Sequence, residues 1–320
     1  MIVHQLCDPP SEPISDALTR FEEQFTYSLG EGQTFRISHG EDYPRFFRAM
    51  GNGVCFVAES NGRIAGVLAA SIRQLTTPTG DQHTAVYFGD LKIDPAMRRG
   101  KILLRLADAV RCWTDHYRAH SPVTAAYAVV MDGTAYTPAS YTGRLGIPRF
   151  SKFGSIAILR RLASQQNNSP NCEWIATPEQ AISCYKNLSA DGYFCSDGRI
   201  EERSETPPTW LMKPNGLACG CLEDTRRAKR LITSDGLELR SAHLSYFAYQ
   251  SPREGVELFR QAATYSTDDH ATGLFAAIPY EDATYFQQML EKNEATITSA
   301  TVFGVALEPD KRWYLNTSEI

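Results

Sequence analysis

Tyr87-Phe-Gly-Asp-Leu-Lys-Ile-Asp-Pro-Ala-Met-Arg-Arg-Gly-Lys-Ile-Leu-Leu-Arg-Leu106 is the stretch around which the rest of the chain can be ordered. Residues 84–93 read as a strand, and Asp94-Pro95 ends it because proline cannot donate to a ladder. Arg98-Arg99-Gly100-Lys101 then opens a helix to about residue 118, with Leu103, Leu106, Ala107, Val110, Trp113 and Tyr117 at helical spacing. Such a turn gathers unpaired backbone N–H groups at the positive end of a helix dipole. Arg98, Arg99 and Lys101 add mobile positive charge, so the segment suits an anion, most simply a phosphate or pyrophosphate. A Walker A loop is excluded because Ile102 stands where Ser or Thr is required, and the GxGxxG spacing of a dinucleotide fold is absent. An ordinary strand-to-helix turn with solvated arginines has the same spacing and stays open.

Working outward, residues 53–59 and 63–72 form two β-rich runs joined by Ser60-Asn61-Gly62, and Asn-Gly is a strong hairpin signal. Helices are predicted over 14–25, capped by Ser11, and over 178–189. Strands are predicted over 124–131 and 155–159. The polar run Ser-Gln-Gln-Asn-Asn-Ser-Pro-Asn within 163–171 reads as a linker. Beyond it strands near 209–212, 216–222, 228–233 and 237–249 are followed by a helix over 254–263, a strand over 274–278, a helix over 281–291 and a strand over 297–307. That order repeats the first half, so the chain reads as two copies of one α+β architecture, 1–162 and 172–320, the second diverged.

Composition sets the outer bounds. At roughly 150 residues per domain, 320 residues suit two domains. Hydrophobic residues at 42 % and charged ones at 22 % exclude a disordered or collagen-like chain. A net charge of −5 argues against nucleic acid or an anionic membrane as partner, and weakly favours a cationic acceptor. The eight cysteines include no CxxC, and Cys219 and Cys221 read as small core thiols on one strand face. No metal is expected. With no signal peptide and no apolar run near ~18 residues, a reduced, cytoplasmic protein is expected, and a homodimer is left open.

Ile93-Asp-Pro-Ala-Met-Arg-Arg-Gly-Lys-Ile-Leu103 resembles the acetyl-CoA-binding motif of the GNAT superfamily of N-acetyltransferases, and the likeness extends over about the first 160 residues. The resemblance implies an α+β fold of two GNAT-like domains, each a mixed, mostly antiparallel twisted sheet flanked by helices, the C-terminal copy degenerate. It implies that Arg98, Arg99, Gly100, Lys101, Ile102 and Leu103 hold the pyrophosphate of acetyl-CoA or another acyl-CoA. The backbone of Leu91, Lys92 and Ile93 would pair with the pantetheine arm, and the Leu91 N–H would face the oxyanion. Counted from Arg98, the family's glycine falls on Lys101 and its small residue on Leu103, which would weaken CoA binding or shift donor choice.

For the chemistry, a base must take a proton from the acceptor ammonium. Asp90 is the sole carboxylate in the predicted strand, with a solvent-facing or capping role as its alternative. Tyr87 occupies the position where many family members carry glutamate, and His83 is a water-mediated alternative. Tyr141, near Gly146-Ile147, matches the tyrosine that protonates the leaving thiolate, with Tyr136 as fallback. Arg226-Arg227-Ala-Lys229-Arg230 reads as a solvated turn, or as a contact for an acidic acceptor or the CoA 3′-phosphate. The leading expectation is an N-acyltransferase, first of all an acetyltransferase, acting by direct transfer on the primary amine of a small molecule or peptide. The alternatives are a non-catalytic binding module of the same fold and an acyltransferase using a longer-chain or carrier-protein-bound donor.

Overall fold

The computed structural model describes residues 1–30, 33–98, 101–118, 122–162, 172–266, 273–290 and 294–320. Among these residues most strands join one 13-stranded sheet. Its main path runs Ile2–Leu6, Asn52–Ser60, Arg63–Thr76, Gln82–Ile93, Ala125–Met131, Thr296–Val305, Ser151–Leu162, Gly273–Pro279, Ser241–Tyr249, Ala218–Glu223, Thr209–Met212. Gly192–Cys195 pairs with Arg312–Tyr314 and with the end of 63–76. Neighbours are antiparallel except 82–93 with 125–131, 241–249 with 273–279, and 192–195 with 312–314. The hairpin at Asn61-Gly62 has both residues left-handed, φ 53° and 73°, the turn geometry that matches the twist of two strands.

The strand order is nearly the same read from either end, because each half places one long strand inside the other. Strand 296–305 lies between 125–131 and 151–162, and strand 151–162 lies between 296–305 and 273–279. A division of the chain at 163–171, which lies outside the described residues, is therefore not a division of the sheet. The irregularities correspond too. Ala69 faces Gly89 and Val67 faces Lys92, so Asp90-Leu91 bulges opposite Leu68. In the other half Cys219 faces Ala248 and Cys221 faces Ser245, so Tyr246-Phe247 bulges opposite Gly220. Asp90 and Tyr246 have φ of 53° and 51°. A Cβ at Gly220 would sit 2.6 Å from Leu244 Cδ1, so a larger residue there would make that side chain shift.

A second, four-stranded sheet also draws on both halves: Tyr27–Gly30, Gln33–Ser38, Arg230–Thr233 and Glu238–Leu239, with Ile37 facing Leu231. Helix Ile102–Arg118 lays Ile102, Leu106 and Val110 on Phe56, Leu68 and Val86. Helix Pro252–Ser266 covers the other half with Val256, Leu258 and Phe259. Helix Pro178–Leu188 starts at a reciprocal cap between Thr177 and Gln180, which satisfies two orphan donors. No described helix is long and apolar enough to cross a membrane. Cys219 and Cys221 are buried in one apolar cluster, as their spacing suggests.

Residues 312–320 lock the halves together. Trp313 is buried against Tyr127 and Tyr193. Buried Arg203 forks onto Glu223 with two 2.7 Å hydrogen bonds and donates to Glu319 at 2.8 Å. Arg73 donates to the other Glu319 oxygen at 2.6 Å, and Ser318 Oγ donates to Glu223 at 2.8 Å. Burial by itself would raise the Glu319 carboxyl; the Arg73 and Arg203 guanidiniums instead hold it at about 2. Because this pKa lies below its unfolded value, the stability it contributes is complete above about pH 5 and lost as pH falls towards 2. Urea unfolding across that range should show Glu319→Gln less stable than the parent by about 3–5 kcal/mol at neutral pH, with a flatter acid limb. An unchanged limb would mean that another carboxylate governs acid unfolding.

Candidate active site

The site grows from the bulge at Asp90. Strand 82–93 is paired with 125–131 only from Ala85 to Phe88, opposite Ala125 to Ala128. Past Phe88 the two strands part, and among the described residues no strand is hydrogen-bonded to that edge of Leu91, Lys92 and Ile93. A bulge bends its strand and leaves backbone groups out of the ladder, which supplies the opening. Asp94 ends the strand by donating its N–H to Ala65 O at 3.0 Å and accepting from Ala96 N at 2.8 Å. A single 3-10 turn, Pro95–Met97, leads to exposed Arg98. Arg99 and Gly100 lie outside the described residues. Lys101 is exposed just before the helix, Ile102 is buried under it, and Leu103 lines the cavity described next. Gly66 lets this helix start come close: a Cβ there would meet Ile102 Cγ2 at 2.8 Å.

The opening leads into a cavity of about 1680 Å³ lined from both halves. One side is formed by Phe88–Lys92, Leu103, Leu104 and Val129–Met131, the other by Thr225, Lys229, His243 and Phe275. Tyr27, Phe35, Leu231 and Leu239 of the smaller sheet also line it. Tyr141 stands in its wall on the short helix Pro138–Tyr141, and burial pushes its phenol up to about 12. Tyr136 is at the rim, 71 % exposed, and His83 is not among the lining residues.

The two candidates on the strand are engaged elsewhere. Tyr87 is buried, and its hydroxyl donates to Glu319 O at 3.0 Å; burial raises its phenol. The Asp90 carboxylate accepts a short hydrogen bond from Tyr43 and lies 2.5 Å from the Lys92 ammonium. Burial would raise this carboxyl, but Lys92 and the nearby His39 bring it down to about 2. A carboxylate so stabilised accepts a proton poorly near neutrality. Lys92 therefore offers the cavity its backbone, while its side chain turns into the buried cluster.

That cluster was not legible in the sequence. His39 Nδ1 lies 2.7 Å from Glu22 Oε1, and the His39 N–H donates to Glu22 Oε2 at 3.1 Å. The Glu22, His39 and Asp90 ligand atoms fall within 4.8 Å of one another, a spacing open to a metal ion. Lys92 Nζ, 2.5 Å from Asp90 and 3.5 Å from Glu22, already supplies the positive charge such an ion would bring.

The basic stretch 226–230 departs from its reading as a solvated turn. Arg227 is exposed, but Lys229 is only 7 % exposed and faces the cavity. Its Nζ lies 4.3 Å over the Phe46 ring and donates to Ile320 O at 2.6 Å. Burial, with Arg203 adding to it, pulls the Lys229 ammonium down to about 7 against the opposing pull of Asp90, Glu223 and Glu319. Charged lysines are rarely buried without a carboxylate, which is the signal that marks this one.

Asp90→Asn should separate packing from catalysis. It removes the negative charge facing Lys92 while keeping the shape and tolerating the left-handed backbone. The expected result is a fall in unfolding free energy of about 1–3 kcal/mol in urea titration. A variant with full stability and a collapsed turnover rate would return Asp90 to the role of base.

No family model matches the chain, and no curated protein is similar to it in sequence. The fold is similar to that of a Saccharomyces cerevisiae N-myristoyltransferase with bound myristoyl-CoA, at 9 % identity and a TM-score of 0.66, over 96 % of this chain and 84 % of that one. A structure of the Saccharomyces cerevisiae enzyme with myristoyl-CoA and inhibitors gives 9 % and 0.63, over 96 % and 80 %. A GCN5-related N-acetyltransferase from Anabaena variabilis gives 13 % and 0.51, over 95 % and 72 %. The chain thus has the GNAT-type fold, a large, mostly antiparallel sheet flanked by helices.

Proposed function

We propose that this chain is an N-acyltransferase that moves an acyl group from an acyl-CoA to a primary amine, within two GNAT-like copies that have exchanged strands 151–162 and 296–305. The observation that carries the reading is the free edge of Leu91–Ile93, which opens into a cavity lined by both halves. At about 1680 Å³ the cavity exceeds the ~300–1,000 Å³ of single-ligand pockets. It suits a donor and an acceptor held together, so that transfer is direct. The pantetheine arm pairs with residues 91–93. The pyrophosphate lies at residues 98–103, beside Arg98 and Lys101 at the helix start. Acetyl-CoA is the first donor to test; the same volume favours, as a second reading, a longer acyl chain.

In the step, the acceptor nitrogen attacks the thioester carbonyl carbon, the C–S bond breaks and an amide forms. The Leu91 N–H, within the bulge, stabilises the oxyanion. Tyr141 keeps its proton near neutrality, since burial holds its phenol at about 12, and gives it to the leaving thiolate. Before attack the ammonium gives one proton to Lys229, which is near enough to Asp90 at the bulge to feel its charge. The second proton, lost from nitrogen as the amide forms, passes through water to the Tyr141 phenolate and restores it. Ile320 O, beside Lys229, accepts a hydrogen bond from the entering amine. No step is assigned to a metal.

Two measurements test this. Acetyl-CoA and longer acyl-CoAs at a hundred times their Kd should stabilise the protein by about 2.7 kcal/mol. Combined Arg98→Ala and Lys101→Ala should weaken donor binding about tenfold or more. A protein that no acyl-CoA stabilises would instead be a binding module. For Lys229, a folded pKa of about 7 means the amine gains its proton-accepting form as pH rises through 7. The pH profile of kcat/KM should therefore rise through about 7, and Lys229→Met should lose that limb. A limb that survives the substitution assigns the proton to another group.

A further inference from the structure

The net charge favours a cationic acceptor, yet the cavity wall on the acceptor side has the opposite sign. Its lining residues from 158 onward include Arg160, Arg226, Lys229 and Arg230 and, among the described residues, no aspartate or glutamate. Arg226 is balanced by Asp224 at 3.4 Å, and Arg230 has Glu238 at 3.9 Å. Arg160 differs: among the described residues no carboxylate lies within ion-pair distance of its half-buried guanidinium.

Sheet register places Arg160 in a cross-strand row. Thr296 faces Arg160, Arg160 faces Phe275, and Phe275 lies beside His243 in the parallel ladder; all four line the cavity. The guanidinium lies 5.9 Å over the Phe275 ring, and that ring stacks on His243 at 5.7 Å. His243 is in turn fixed by Thr317, 3.0 Å from its Nδ1. An arginine supported on an aromatic face keeps its planar fork of donors for a planar anion, and a carboxylate fits that fork with two parallel hydrogen bonds.

Its distance from the reacting centre follows from the same register. Met131, beside the opening, faces Ala300, which faces Ile156; Arg160 is four residues further along that strand. Two strand spacings and four residues of rise put Arg160 roughly 16 Å from Met131, backbone to backbone. The α-carboxylate of a free amino acid cannot span that distance from its own amine.

We infer that Arg160 anchors a carboxylate of an extended acceptor, of the class of a peptide with a free N-terminal amine and an acidic side chain three to five residues on. This rests on the donor placement proposed above. The row 296, 160, 275 and 243 is then a specificity subsite distinct from the reacting centre.

The test uses short peptides with a free N-terminal amine, identical except for Glu, Gln or Lys at the fourth or fifth position. Equilibrium binding to the whole chain is measured by calorimetry, with acyl transfer to the same peptides followed separately. The Glu peptide should bind about tenfold or more tighter than its Gln partner, with Lys weakest, and the difference should shrink with added salt. Arg160→Gln should remove the Glu-over-Gln preference while leaving acyl-CoA affinity unchanged. The Glu-to-Gln change in the peptide tests the subsite on the parent protein, so a poorly folded variant does not stop the experiment. Equal binding of the three peptides, or preference for Lys, overturns the inference. A Glu preference that survives Arg160→Gln overturns the assignment to Arg160. Discrimination without transfer from any acyl-CoA supports the subsite and overturns the acyltransferase reading.

Discussion

A single carboxylate shared by two buried guanidiniums holds this architecture in place. Glu319 bridges Arg73, on a strand of the first half, and Arg203, which is itself forked onto Glu223 of the second. Desolvating four charged groups is expensive, and the arrangement is tolerable because they alternate in sign and are joined by short hydrogen bonds. What it secures is position. The 312–320 segment is pinned beneath the junction, Tyr87 is tied to the Glu319 carbonyl, and Ile320 is set in the cavity wall beside Lys229. The cavity is therefore shaped by a contact between distant parts of the chain rather than by either half alone.

That same segment explains why the second half has no matching opening among the described residues. Its bulge at Tyr246 mirrors the one at Asp90, and its parallel ladder ends at Leu244 and Ala276 as the other ends at Phe88 and Ala128. Here, however, the opening is filled. The Tyr246 N–H donates to Asn316 Oδ1 at 2.8 Å, Ser245 Oγ lies 2.9 Å from Ser318 Oγ, and His243 meets Thr317. Groups that could face a ligand are satisfied by the protein's own backbone and side chains.

Local chemistry was legible in the sequence; long-range pairing was not. The Asn61-Gly62 turn, the stop at Asp94-Pro95 and the periodic face of 102–118 each depend on neighbours a few residues away, and each forms as its residues dictate. Strands 2–6, 27–30, 33–38, 192–195 and 312–314 escaped because they are short and exist through their partners. The exchange of 151–162 with 296–305 leaves no mark, since either strand carries the same alternation in either half. At the candidate site, Asp90 and Tyr87 are engaged by Tyr43 and Glu319, which come from segments far away in sequence, so those contacts could not be read locally. Lys229 looked solvated because Phe46, which covers it, is far away in sequence.

The interleaving of the two central strands bears on how the molecule can be made. Strand 125–131 has a bare edge until 296–305 arrives, and 296–305 in turn needs 151–162 beside it. During synthesis, then, the first half cannot close its sheet when its own residues have emerged. It must wait, with an unpaired strand edge exposed, for about 140 more. Contacts of such long sequence separation carry a loop-closure cost before they return any stabilisation, so assembly is slow and cooperative. The cavity appears only at the end of that process, so a ligand that fills it would report complete folding rather than the folding of either half.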